Sequence, residues 1–263
     1  MSIYWIVFII FALTVVMIMS GRGGGNFYVA ALVLSGVSMH TASTTSQFIL
    51  FASALVGAIV FGKARTMSWP LAFFFGGVNA SMAFVGGFMA HQFGGTTLKI
   101  ILSILLFIAG IAMLFPEKQA HRTAINRLGY WNIQEGDNTY VINLWIAVPL
   151  TMLTGFFSGM VGISGGSFLV PLMVVGCGVP MRTAVGTATA MLAATALTGF
   201  AGNAIHGGFD PVLALPSGAV AVLGGLIGSK IALKTKPKSL KTISGILTIV
   251  AAIFMLTNAL SIS

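Results

Sequence analysis

The chain has 263 residues, of which 57% are hydrophobic and only 6% are charged. Soluble domains carry roughly 25% charged residues, so this chain cannot cover itself with a wetted surface, and the composition excludes a soluble globular protein. A net charge of +9 would suggest nucleic-acid binding in a soluble protein, but the basic residues here lie between apolar segments, as topology signals do.

Five apolar segments are predicted in the first half. Residues 2–20 are long enough to cross a bilayer, which needs about 20 apolar residues, and residues 21–25 form a glycine-rich break. Residues 26–38 are apolar, but at about 1.5 Å per residue they are too short to cross a hydrocarbon core of roughly 30 Å. Full spans are then predicted at residues 41–62, 69–91 and 98–115.

The second half repeats this layout after a polar stretch, residues 116–139, which we expect to be a cytoplasmic linker. A span is predicted at residues 140–161. It is followed by a second glycine-rich break and a second short apolar piece, residues 168–177. The remaining spans are predicted at residues 183–205, 211–233 and 240–259.

The two halves align without a gap, from Gly23 on Gly165 to Leu114 on Leu256. Five segments per half is an odd number, so the second half enters the membrane in the opposite orientation. We therefore expect an all-α integral membrane protein built from two repeats that are inverted about an axis in the membrane plane. The predicted units are a first repeat (1–115), a linker (116–139) and a second repeat (140–263).

The basic residues predict the orientation. With the N-terminus outside, almost every Lys and Arg falls at an inside end, including Arg22, and only Lys99 falls outside. Arg182 joins the inside set if its helix pair is fully spanning. We expect a multi-pass protein of the bacterial inner membrane with both termini outside.

The two breaks are the predicted functional site. Irregular backbone is tolerated at membrane depth only where it faces protein or a water-filled cavity. Short, glycine-interrupted segments at corresponding positions of inverted repeats are the best sequence indication of a transport site. We expect the short segments, broken or re-entrant, to meet at the centre of the protein, although glycine-rich stretches also serve close helix packing.

Two helix starts indicate an anionic ligand. Thr41 and Thr183 are predicted to cap their helices, and free N–H groups at a helix start favour anions. His40 and Arg182 precede these caps at the same repeat position, and we expect them to converge near the midplane on one anionic group. Two simpler interpretations remain open: Arg182 as a topology residue at the inner surface, and His40 as an interfacial histidine at the opposite end.

The candidate substrate-binding residues are Arg182, His40, Thr41, Thr183, Thr45, Thr187, Gly23, Gly24, Gly165, Gly166, Asn26 and Ser164. His206 and Asp210 are candidates for proton coupling. Asp210 before Pro211 is also the pattern of a helix cap followed by proline in the first turn, and we favour that interpretation. Gln47 and Asn79 lie within spans and could hydrogen-bond a neighbouring helix or line a path, and we favour a structural role for both.

An enzyme is disfavoured. Membrane-embedded catalysis would need paired acids, a histidine cluster or metal-ligand spacing, whereas the chain has four acids, and His40, His91 and His206 are scattered along it. We expect no catalytic residue, no metal and no cofactor. Cys177 is the only cysteine, which excludes an internal disulfide. The expected partners are a small anionic substrate and the lipid bilayer, not nucleic acid, and a homodimer is left open.

The glycine motifs resemble those of the sulfite exporter TauE/SafE family of bacterial anion transporters, over essentially the whole chain. The family pattern more often has glycine at Ser164, serine at Ala188 and proline at Val29. The residues that carry the resemblance are Gly162-Ile-Ser-Gly-Gly, Pro171, Gly178, Pro180, Ala184 and Thr187-Ala188, with Gly21-Arg-Gly-Gly-Gly, Gly36, Ala42 and Thr45-Ser46 in the first half.

The resemblance implies export of sulfite, sulfoacetate or a related organosulfonate from the cytoplasm. Alternating access would come from movement of one half against the other. The residues by themselves predict only a small anion. An anion channel with the same central site, and a carrier for a small organic anion without sulfur, are the alternatives.

Overall fold

The computed structural model describes residues 3–114, 128–135, 138–235 and residue 253. The described chain is almost entirely helical, which confirms the predicted all-α membrane class. Five of the described helices are long and apolar enough to cross a membrane. The helices are α1 (Ile3–Met19), α2 (Gly25–Leu34), α3 (Met39–Lys63), α4 (Trp69–Met89), α5 (Gly95–Leu114), α6 (Leu144–Val161), α7 (Gly166–Pro171), α8 (Met181–Ala204) and α9 (Pro211–Lys234).

Each predicted apolar segment in the described ranges contains a helix close to its predicted bounds. A short 3-10 turn, Ala90–Gln92, follows α4, and a π-helical turn, Leu172–Gly176, follows α7. The last predicted span, 240–259, and most of the predicted linker lie outside the described residues.

One predicted boundary is wrong, because residues 140–143 form a strand and not the start of a helix. Strands β1 (Tyr130–Glu135) and β2 (Asn138–Asn143) pair as an antiparallel hairpin. Their aromatic and β-branched residues favour extended backbone. Helix α6 begins only at Leu144, where the side chain of Asn143 accepts a hydrogen bond from the Trp145 N–H at 3.1 Å.

The two threonine caps are also wrong. Helix α3 begins earlier than predicted, and Ser38 caps it by accepting a hydrogen bond from the Thr41 N–H at 3.3 Å. Helix α8 begins at Met181 after Pro180, which offers no side-chain cap. Proline already holds φ near the helical value, so it initiates this helix without a capping side chain. Thr41 and Thr183 therefore lie in the first turn of their helices.

The cap predicted at Asp210 is confirmed. Its Oδ1 accepts hydrogen bonds from the backbone N–H groups of Val212 and Leu213, at 3.0 and 3.3 Å. Pro211 follows at the first position of α9. The carboxylate therefore stabilises the start of a membrane helix.

Helices α3 and α8 cross the protein in opposite directions. Gly57, late in α3, packs against Thr189, early in α8, whereas Gln47, early in α3, packs against Gly199, late in α8. The N-termini of these two helices consequently lie at opposite ends of the protein.

Close glycine contacts show the relative directions of the other long helices. Helix α9 runs parallel to α3, since its glycines meet Phe48 and then Ser53, and α1 runs with them. Helices α4 and α6 run parallel to α8. We call α1, α3 and α9 the first helix group, and α4, α6 and α8 the second helix group. The inverted relation of the two halves stays a prediction.

Candidate functional site

The two glycine breaks meet in the interior. We define the first break as residues 20–24, between α1 and α2, and the second break as residues 162–165, between α6 and α7. Every residue from 20 to 30 and from 158 to 166 is buried. A Cβ atom on Gly25 would lie 2.8 Å from the backbone nitrogen of Ser164, and one on Gly166 would lie 2.8 Å from the carbonyl oxygen of Gly21. Only glycine allows backbones to approach this closely.

A small polar network joins the breaks. The Oδ1 atom of Asn26 accepts hydrogen bonds from the backbone N–H of Ser164 at 3.0 Å and from its hydroxyl at 3.3 Å. The Ser46 hydroxyl of α3 lies within hydrogen-bond distance of two carbonyl oxygens, at 2.9 Å from Gly162 and 3.1 Å from Gly25. The candidates that the structure places in or beside this meeting point are Gly23, Gly24, Gly165, Gly166, Asn26 and Ser164.

Arg22 is the basic residue of the interior, and the sequence reasoning missed it. Its side chain is 2% exposed, whereas we expected a topology residue at an inside end. The Cα atom of Arg22 lies beside Gly166 of the second break. A guanidinium stays charged at any physiological pH, so the meeting point has a positive charge next to it. The signal in the sequence was its place inside a glycine run.

Helices α3 and α4 carry buried polar groups, and those of Ser43 and Asn79 lie beside the second break. The hydroxyls of Ser43 and Thr45 and the amide oxygens of Gln47 and Asn79 are buried, and they make no hydrogen bond with any residue that the structure describes. Ser43 packs on Gly162, and the Asn79 amide lies near Gly165. These atoms have hydrogen-bonding capacity left for a ligand, whereas we favoured a structural role for Gln47 and Asn79.

His40 and Arg182 do not converge, and that prediction is wrong. Both follow the start of a full-length span, and these spans are antiparallel, so the two residues are separated by about the length of the 24-residue helix α8, roughly 36 Å. Arg182 is exposed, and its Nη2 donates to the Leu233 carbonyl oxygen at 3.1 Å, at the end of α9. The two simpler positions, one residue at each end, fit the structure.

The four candidate threonines divide in the same way. Thr41 lies with His40, and Thr183 lies with Arg182, each half-buried at its own end. Thr45 is fully buried. Thr187 is buried as well, but its Oγ1 accepts a hydrogen bond from the Ser68 N–H at 2.9 Å, so its local role is to hold the start of α4.

A small cavity lies between Arg182 and Ser20 of the first break. Arg182 is exposed at its opening, while Ser20 of the first break is buried in its wall. Val185, another wall residue, packs directly on Gly21. The lining residues are Met19, Ser20, Phe61, Met181, Arg182, Val185, Ala232 and Thr235.

His40, His91 and His206 cluster at the end opposite Arg182. They are distant along the chain but close together in the fold, so the expectation that they are scattered is wrong. The rings of His40 and His91 stack with centroids 4.8 Å apart and an angle of 11° between their planes. The rings of His91 and His206 lie 4.7 Å apart at 33°. Phe88 packs on His206 at 4.9 Å. His206 thus joins a ring stack, while Asp210, the other coupling candidate, caps α9.

The described residues include no group of three or more His, Cys, Asp or Glu side chains that could hold a metal ion. The His40 and His91 rings stack face to face, whereas metal ligation needs ring nitrogens directed at one point.

The family model described as "Sulfite exporter TauE/SafE" matches residues 6–255. The chain belongs to this family. The resemblance noted from the glycine motifs is therefore confirmed, and the TauE/SafE chain is a multi-pass membrane transporter.

Relatives of this TauE/SafE chain carry general names. A "Probable membrane transporter protein YunE" of Bacillus subtilis (strain 168) is 24% identical over 244 residues, covering 87% of this chain and 88% of the relative. A probable membrane transporter protein of Methanocaldococcus jannaschii is 23% identical over 252 residues, covering 89% and 88%. No solved structure matches the chain.

Proposed function

We propose that this protein exports a small sulfur-containing anion, such as sulfite, sulfoacetate or a related organosulfonate, by alternating access around the two breaks. The observation that carries the proposal is the contact between two buried glycine breaks beside the buried cation Arg22. The description of the matching family, a sulfite exporter, supports the choice of substrate class.

The chemistry beside the breaks suits an oxyanion. A guanidinium binds sulfur and carboxyl oxyanions through two parallel hydrogen bonds. Helix α2 begins at Gly25, so the positive end of its dipole faces the first break. The hydroxyls of Ser43 and Thr45 can donate further hydrogen bonds to the oxygens of the anion.

The cavity gives the anion a route to this site. Arg182 has one hydrogen-bond acceptor among the described residues, the Leu233 carbonyl oxygen, which leaves guanidinium donors for an arriving anion. Ser20 and Val185 then lead from Arg182 to the first break. Arg182 therefore captures the anion, and Arg22 binds it at the centre.

Orientation follows from the basic residues. Lys63 at the end of α3, Lys230 and Lys234 at the end of α9, and Arg182 at the start of α8 share one end of the protein. The positive-inside rule assigns this end to the cytoplasm of an inner membrane, with both termini outside. The cavity then opens toward the compartment from which an exporter loads its substrate.

Binding of a panel of small anions to the purified protein tests the proposal. The panel contains sulfite, sulfate, sulfoacetate, taurine, isethionate and a carboxylate control, and the readout is the melting temperature. A ligand at 100 times its Kd stabilises the folded state by about 2.7 kcal/mol. We expect sulfite or a sulfonate to raise the melting temperature of the wild-type protein.

Three variants locate the binding site. Arg182→Ala should lose most of the stabilisation by the anion. Arg22→Lys keeps the charge but loses the planar guanidinium, so it should weaken anion binding by about tenfold. Lys63→Ala is the matched control, because Lys63 is an exposed cation at the same end but outside the cavity. Equal stabilisation in Arg182→Ala and wild type would make Arg182 a topology residue.

The alternatives give different outcomes. Stabilisation only by carboxylates would indicate a carrier for an organic anion without sulfur. Counterflow of a labelled anion in proteoliposomes distinguishes a carrier from a channel, because only a carrier exchanges substrate against an opposing gradient. Conductance without counterflow would overturn alternating access.

A further inference from the structure

The histidine stack, His40, His91 and His206, joins the two helix groups at the end opposite the cavity. His40 lies in the first turn of α3, in the first helix group. His91 lies in the turn after α4 and His206 just after α8, so both belong to the second helix group. The contact between the His40 and His91 rings therefore closes the boundary between the groups.

The rings can accept protons without breaking hydrogen bonds. The Nδ1 atom of His40 and the Nε2 atom of His91 are buried and make no hydrogen bond with the described part of the chain. Histidine changes charge between about pH 5 and 8. Two charged rings with centroids 4.8 Å apart repel each other strongly where water is partly excluded.

Few other charges face the stack. Helix α5, which packs on the start of α3 through Gly95 and Met39, carries Lys99. Asp210 caps α9 on the loop that follows His206, and its carboxylate already accepts two backbone hydrogen bonds. The described parts of α2, α4 and α6 contribute no charged side chain. One cation and one anion nearby leave the charge of a protonated stack largely uncompensated.

We propose that the histidine stack is the proton-binding site of this transporter, and that its protonation separates the two helix groups and opens this end. The coupling to anion export rests on the proposed function. Each cycle binds a proton at a ring nitrogen from the outer side, opens the outer end and releases the anion there. Loss of the proton to the outer side lets the rings stack again and closes this end.

Opening is measurable without any substrate. Thr44 is fully buried below the stack, its hydroxyl donates to the His40 carbonyl oxygen at 3.0 Å, and the backbone of Gly208 lies close to it. In a Cys177→Ser background, Thr44→Cys is labelled in vesicles with a membrane-impermeant maleimide at about pH 7.5 and about pH 5.5. Gly94→Cys, an exposed position at the same end with open space around it, corrects for the pH dependence of the reagent.

We expect the labelling of Thr44→Cys relative to Gly94→Cys to rise roughly tenfold at the lower pH. Adding His40→Gln and His91→Gln, which cannot be charged, should remove the rise. A pH-independent ratio in the histidine protein, or the same rise in the double glutamine variant, would overturn the proton-operated opening.

Transport provides a second, independent readout. In proteoliposomes, an outside-acid gradient should accelerate export of sulfite from inside-loaded vesicles, and the double glutamine variant should lose that acceleration while sulfite still raises its melting temperature. If no anion binds wild-type protein, the proposed function fails, while the labelling still decides whether the stack opens. Sulfite export that is insensitive to the gradient in wild-type protein would overturn coupling.

Discussion

The first and second breaks occupy equivalent places in the sequence repeat, but they are surrounded differently. A Cβ atom on Gly23, where φ is +62°, would meet the Leu50 side chain at 2.6 Å. A Cβ atom on Gly162, where φ is +80°, would lie 2.6 Å from the Cα atom of Ser43. A leucine side chain can move, whereas a backbone atom of α3 cannot, so a side chain is tolerated less well at Gly162 than at Gly23.

The breaks also differ in chemistry. Arg22 in the first break aligns with Ser164 in the second, and Asn26 aligns with Phe168. One break therefore carries the charge, while the other offers a neutral serine to the Asn26 side chain. Two breaks at equivalent places in the repeat thus supply a cationic side and a hydrogen-bonding side to the binding site that we propose.

The largest expected effect tests the difference between Gly162 and Gly23. Gly162→Ala combines a left-handed backbone with a clash against backbone, and we expect a loss above about 3 kcal/mol. Gly23→Ala should cost less, about 1–2 kcal/mol for the left-handed conformation with some adjustment of Leu50. The melting temperatures of the two variants in detergent show which is less stable. A Gly162→Ala protein that melts at a higher temperature than Gly23→Ala would contradict the prediction.

An intermediate effect concerns the polar contact between the breaks. Asn26→Ala leaves the buried N–H of Ser164 without its acceptor, and we expect a loss of about 1–3 kcal/mol. Ser164→Ala is the matched change on the other break. It removes only the hydroxyl and keeps the backbone hydrogen bond, so it should cost less. Thermal melting compares them, and equal losses would mean that the hydroxyl, not the N–H, matters.

The smallest expected effect tests whether α3 supports both breaks. Ser46→Ala removes a hydroxyl that lies on the carbonyl oxygens of Gly162 and Gly25, and we expect a loss of about 1 kcal/mol. Ser81, an exposed serine whose hydroxyl donates to the Gly77 carbonyl oxygen within its own helix, is the control. Ser81→Ala should leave the melting temperature unchanged, and a similar loss in both variants would remove Ser46 from the network.

The sequence by itself determined the membrane class, the positions of the helices and the importance of the breaks. Hydropathy and glycine content are local properties of the sequence, so they predict where a helix such as α9 (Pro211–Lys234) begins and ends. The cap at Asp210 is equally local, because it involves only neighbouring backbone groups. The motifs also placed the chain in the TauE/SafE family.

Only the tertiary structure decided how deeply each side chain is buried and which residues surround it. Arg22 had the same pattern as a surface cation, but it is buried, with its Cα atom beside Gly166. His40 and Arg182 share a repeat position, yet the antiparallel packing of α3 and α8 places them at opposite ends. The same packing brings His91 and His206, distant along the chain, onto His40. Depth and contact depend on which helix packs beside a residue, and that is set by contacts between distant segments and not by local sequence.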